Sequence, residues 1–119
     1  MIFSIVAYRV KRGKEREFEE LMCGRFRSSQ ERAGCRSAEL LRRRGEERSY
    51  LWVEVWGSEE EIEEAHKRGL VPPEHPIWVE ISRLFESVTF LGRFEVVGEE
   101  SSKGFNRFLS SLFGRGGKS

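Results

Sequence analysis

Cysteine is scarce in this 119-residue chain: only Cys23 and Cys35 occur, and in no CxxC pair, which excludes a disulfide framework and the usual cysteine-based zinc and redox motifs. Both are expected as free, buried thiols. No apolar run approaches the roughly 20 residues that a bilayer span needs. No sign of charge prevails, since 21 Lys and Arg face 20 Asp and Glu for a formal net charge of +1, and this disfavours a general nucleic-acid binder. Asn and Gln appear once each, as Asn106 and Gln30, while Arg outnumbers Lys 16 to 5. Such poverty in thermolabile amides points to a thermophile habitat, not to a function. A phosphate-cradling glycine loop, an HExxH helix and a Ser-His-Asp order are missing too. Met1 to Ala7 carry neither a basic leader nor a small-residue cleavage site, and the chain is expected in the cytoplasm.

What is present suffices for one domain, burying roughly two-thirds of the surface its unfolded chain exposes. Ile2 to Val10 are β-branched and apolar and end at the turn Lys11-Arg12-Gly13, a first strand. Phe18, Leu21, Met22 and Phe26 then recur at intervals of three and four, predicting a helix to about Gln30. Cys35 to Arg42 and Ser49 to Trp56 flank a polar turn and predict a β-hairpin. Ser58 stands three residues before Glu61, a capping box, and acidic residues follow it; Lys67 and Arg68 close the helix and Gly69 can take a left-handed cap. Pro76 suits a first helical position, and Ile77, Trp78, Ile81, Leu84 and Phe85 predict a third helix. Val88 to Val96 reads as the last strand.

The order β-α-β-β-α-α-β predicts an α+β, ferredoxin-like split βαβ fold: a four-stranded antiparallel sheet with helices on one face. The other face poses a problem. Strand one alternates Ile2, Val6, Tyr8 and Val10 with Phe3, Ile5 and Ala7, and strand three alternates Tyr50, Trp52 and Trp56 with Leu51, Val53 and Val55, so both faces are apolar. A sheet open to water should not look like that. A second copy of the chain is the economical cover, and a homodimer is expected. The domain is expected over residues 1–97, with 98–119 a tail. There Phe105, Phe108, Leu109, Leu112 and Phe113 share one helical face, suited to docking on the body or to meeting a partner or lipid surface.

His66 lies four residues after Ile62 on the inward stripe of its helix, fit for a hydrogen-bonded core histidine or for a proton acceptor or substrate anchor. His75 precedes Pro76, where it can cap the third helix or ligate a metal or heme iron. Glu54 sits mid-strand among aromatics, either paired with an arginine (Arg9 or Arg93) or held as a base in an apolar pocket. Trp52, Trp56, Trp78, Tyr8 and Phe26 are core residues or stacking partners for a flat aromatic ligand. RNA-recognition domains share a related strand order, but Ser49 to Glu54 does not match their strand-three signature.

Val10 to Glu15, Ala33-Gly34-Cys35, and above all Trp52-Val53-Glu54-Val55-Trp56-Gly57-Ser58-Glu59-Glu60 followed by His66 and Glu74-His75-Pro76 resemble the antibiotic-biosynthesis monooxygenase family over residues 1–97. The resemblance implies a dimeric α+β barrel in which two sheets face each other. It further implies a cofactor-free, O₂-dependent oxidation of a small phenolic or quinol-like aromatic, with His66 and Glu54 as catalytic candidates and His75 added to the five aromatics as substrate-binding. A heme-degrading branch supplies the alternative cofactor, because its iron ligand has the spacing from the strand-ending Trp that His75 has from Trp56. That branch also uses an Asn in strand one and a Trp on the second helix. Here strand one has no Asn and the helix position is Ala65. A non-catalytic ligand-binding dimer is the other alternative.

Overall fold

A computed structural model describes residues 1–71 and 75–97. The tail and Glu74 lie outside the described residues, as does the expectation of an amphipathic helix over 105–113. β1 (Ile2–Val10) is followed by a helical segment built from α1 (Glu15–Leu21), a π-helical turn (Met22–Phe26) and α2 (Arg27–Arg32). Then come β2 (Ser37–Arg42), β3 (Ser49–Trp56), α3 (Glu59–Lys67), α4 (Ile77–Ser82) and β4 (Phe85–Glu95). The strands form one antiparallel sheet in the order β2-β3-β1-β4, the predicted fold class and element order.

The π turn is what the helical periodicity did not foretell. Four residues overshoot one α-helical turn by about 40°, so a side-chain row at Phe18, Met22, Phe26 and Gln30 would drift steadily around a regular helix. A π turn is wider and takes back part of that drift. All four side chains consequently stay buried.

α3 is capped as its sequence predicts. Ser58 Oγ accepts the Glu61 N–H at 3.2 Å, whereas the Glu61 carboxylate reaches one residue further back than expected, accepting the Gly57 N–H at 3.1 Å. At the other end Gly69 has φ 66°, its N–H donates to His66 O, and the Leu70 N–H donates to Ala65 O, which is a Schellman close.

β4 begins three residues before the expected Val88. Phe85, expected on the helical stripe, pairs with Val10 in the sheet, while its ring meets Tyr8 (5.4 Å between centroids) and Trp78 (5.9 Å). Its side chain packs on the helix-side core as that stripe implies, but its backbone is strand. Within β4 the register slips between Ile5 and Val6, so that Leu91 is the extra residue of a bulge beside Gly92 at φ 126°.

The main core lies on the helix side of the sheet, where Tyr8, Val10, Tyr50, Trp52 and Trp56 meet Phe18, Met22, Phe26, Ile62 and Ile81. The opposite face carries a separate buried cluster of Phe3, Val53 and Val55, with Ile5, Leu51 and Val96 packed on it. Cys35 is buried and donates its S–H to Ser37 O at 3.1 Å. Cys23, expected inside, is exposed, because it falls on the outer side of the π turn.

Candidate functional site

Between the helix side of the sheet and the helices lies a cavity of about 510 Å³, within the range of small-molecule sites. Its floor is the even-numbered side of the central strands, since alternate residues share a face: Val6 and Tyr8 from β1, Trp52, Glu54 and Trp56 from β3. Phe26 and Gln30 close one wall from the first helical segment, Ile62 and His66 another from α3, and Trp78 from α4. Phe90 and Arg93 from β4 complete it. Every site residue expected from the sequence lines this cavity except His75.

Glu54 organises the floor. It is 8% exposed, and a buried carboxylate is costly unless it is hydrogen-bonded. Its partners are neither Arg9 nor Arg93. Trp52 Nε1–H donates to Oε2 at 2.7 Å, Trp56 Nε1–H to Oε1 at 2.8 Å, and Gln30 Nε2–H to Oε2 at 2.9 Å. Arg9 lies on the opposite face with Ser49 and Glu46, and Arg93 is held by Glu59 on α3 at 2.8 Å. Three donors occupy most of the roughly four acceptor sites of a carboxylate. Glu54 thus fixes both indoles with their N–H groups turned to itself. Gln30, the chain's one glutamine, was not singled out from the sequence; its place four residues after Phe26 on the helical row is the signal that marks it.

His66 has the opposite character. Its Nδ1 stands 3.1 Å from the Ile62 carbonyl, which can only accept, so in the neutral ring Nδ1 carries the proton. Nε2 then presents a lone pair and has no partner among the described residues. Tyr8 is buried, and desolvation, with the Glu54 charge adding to it, pushes its hydroxyl well above the ordinary tyrosine range. It remains a neutral O–H donor.

His75 is committed elsewhere. Its Nδ1 accepts the Ile77 N–H at 3.2 Å, capping α4 as its position allows, and its Nε2 stands 2.6 Å from Ser29 Oγ. Both ring nitrogens are engaged away from the cavity, so the arrangement does not fit an axial heme ligand. Among the described residues no group of three or more His, Cys, Asp or Glu side chains converges on a common point for a metal ion, and no helix is long and apolar enough to cross a membrane.

The family model for antibiotic biosynthesis monooxygenase matches residues 1–71. Among solved structures, SnoaB, a cofactor-independent oxygenase from Streptomyces nogalater, matches with TM-score 0.67 and 22% identity over 82% of this chain and 94% of that chain. A putative antibiotic biosynthesis monooxygenase from Nitrosomonas europaea matches with TM-score 0.63 and 14% identity over 82% of this chain and 100% of that one. PA3566 from Pseudomonas aeruginosa gives TM-score 0.60 and 16% identity over 82% and 94%. Comparison with curated protein sequences gives no match.

Proposed function

Because the chain belongs to the antibiotic biosynthesis monooxygenase family, we propose that its cavity takes a small phenolic or quinol-like aromatic and oxidises it with O₂ without a prosthetic group. The observation that carries this reading is the pairing of an aromatic floor with one accepting imidazole. Trp52 and Trp56 offer π faces whose N–H groups are already used, so stacking dominates there. His66 Nε2 takes the phenolic proton as general base. The phenolate so formed is electron-rich enough to reduce O₂ at a ring carbon. Oxygenation of a phenol para to its hydroxyl then balances as phenol plus O₂ giving quinone plus water, so the substrate supplies the electrons. SnoaB, described as a cofactor-independent oxygenase, supports this choice on the same fold. In this reading Glu54 is a positioning residue, and a homodimer shields the helix-free face of the sheet.

Oxygen uptake by the metal-stripped protein with a panel of naphthols and hydroquinones tests the proposal. His66→Ala should lose at least about a hundredfold in kcat, the usual share of a general base, with ligand binding within severalfold of the parent. Tight binding by the unaltered protein with no oxygen uptake across the panel would make this a ligand-binding protein instead.

A further inference from the structure

The cavity's charged groups and indole N–H groups are already spoken for. Glu54 consumes both indole N–H groups and an amide N–H of Gln30, Arg93 is tied to Glu59, and His66 Nε2 offers only a lone pair. Beside that lone pair, three groups of the lining have no partner among the described residues: the Ser4 hydroxyl, Gln30 Oε1, which can only accept, and the Tyr8 hydroxyl, the one donor set among the aromatic rings. Tyr8 is 4% exposed, and its ring is held between Phe18 (5.2 Å) and Phe85 (5.4 Å). The ring is buried, but the hydroxyl oxygen keeps contact with the cavity space, where a ligand atom can meet it and where a phenylalanine would offer no hydrogen bond.

Resting on the reading of the cavity as an aromatic-ligand site, we propose that Tyr8 is its specificity-determining donor: the hydroxyl donates a hydrogen bond to a carbonyl oxygen of the bound ring system. Burial and the nearby Glu54 charge keep Tyr8 protonated, so its hydroxyl has a proton to donate to a carbonyl oxygen. His66 supplies the complementary lone pair for a ligand hydroxyl. The pocket therefore selects a planar aromatic bearing a hydroxyl conjugated to a carbonyl. When the hydroxyl loses its proton to His66, negative charge spreads to the carbonyl oxygen, and a donor already placed there stabilises it without reorganising.

The test uses the full chain, with binding followed by quenching of tryptophan fluorescence. The probes are 2-hydroxy-9,10-anthraquinone, which has both groups, and 2-hydroxyanthracene, which lacks the carbonyls. Tyr8→Phe should weaken binding of the anthraquinone about five- to tenfold, the scale of one hydrogen bond, and change 2-hydroxyanthracene less than twofold. In the unaltered protein the infrared carbonyl stretch of the bound anthraquinone should fall below that of the probe in an apolar solvent, and in Tyr8→Phe that shift should vanish. Equal effects on both probes, or a carbonyl stretch that is not lowered in the unaltered protein, overturn the role of Tyr8. The second measurement stands even if Tyr8→Phe fails to fold. If the unaltered protein binds neither probe, the aromatic-site reading falls as well; if it binds both and only the discrimination is absent, that reading survives and the Tyr8 assignment does not.

Discussion

At the scale of single residues the floor of the site was visible in the sequence before its bonding was. Trp52, Glu54 and Trp56 alternate along one strand, so they had to share a face, and a glutamate between two tryptophans marks that face as something other than plain core. Which group neutralises the glutamate was not legible: Arg9 is odd-numbered on β1 and falls on the other face, and Arg93 is drawn to Glu59. Glu54 also acts beyond the cavity. Burial pushes the Cys35 thiol up to about 12 with Glu54 adding to it, and burial and the Glu19 carboxylate push Tyr50 up to about 12. Both groups are neutral acids whose folded values lie above their ordinary 9.0 and 10.0. Below pH 9 both the folded and unfolded chains hold these protons and stability is full; above it the unfolded chain releases them first. Stability should therefore decline as pH rises from about 9 towards 12. Urea unfolding at a series of pH values checks this, and Cys35→Ala should make the decline above pH 9 shallower. A stability profile that stays level through pH 11 would contradict the burial of these groups.

Elements were legible wherever a local signal determined the backbone. The Ser58 and Glu61 cap and the Gly69 close are short-range patterns, and both ends of α3 follow them. The start of β4 was not, because Leu84 and Phe85 continue an apolar row that a helix and a strand can both use; the pairing of Phe85 with Val10 decides it, and that partner is far away in sequence. The π turn lies between these cases. Phe18, Met22, Phe26 and Gln30 stand four apart throughout, a spacing that a regular helix cannot keep on one face. Gly24 within that turn has a negative φ and open space around the position of a Cβ. Gly24→Ala should then stabilise the protein by about 0.4–1 kcal/mol, through loss of freedom in the unfolded chain, with no change in ligand binding. Should the substitution destabilise the protein, or weaken binding of an aromatic ligand, the turn needs a mobility that the static geometry does not require.

For the molecule as a whole, the two-sided apolar pattern of β1 and β3 was the feature of the sequence that reached furthest. It predicted a sheet with a second face to cover, and the separate cluster of Phe3, Val53 and Val55 lies on that face, opposite the helices. Around it the surface stays apolar: Leu41 on β2 and Phe94 on β4, both on the helix-free side by their pairing with Leu51 and Phe3, are exposed, Phe94 by 49%. A sheet face of this kind is an association surface, and an isologous contact lets one apolar patch cover its own copy. Sedimentation velocity at micromolar concentration should therefore show a dimer. Because the contact is apolar, raising the salt concentration should leave it intact, which an interface held by the many surface ion pairs would not survive. Phe94→Glu places a charge on the proposed contact face, on its edge strand β4, while altering a side chain that is half in solvent in the monomer. It should give a folded monomer with the cavity residues undisturbed. A dimer that persists in Phe94→Glu would move the contact to another surface, and a monomer in the unaltered protein would remove the second copy from this reading altogether.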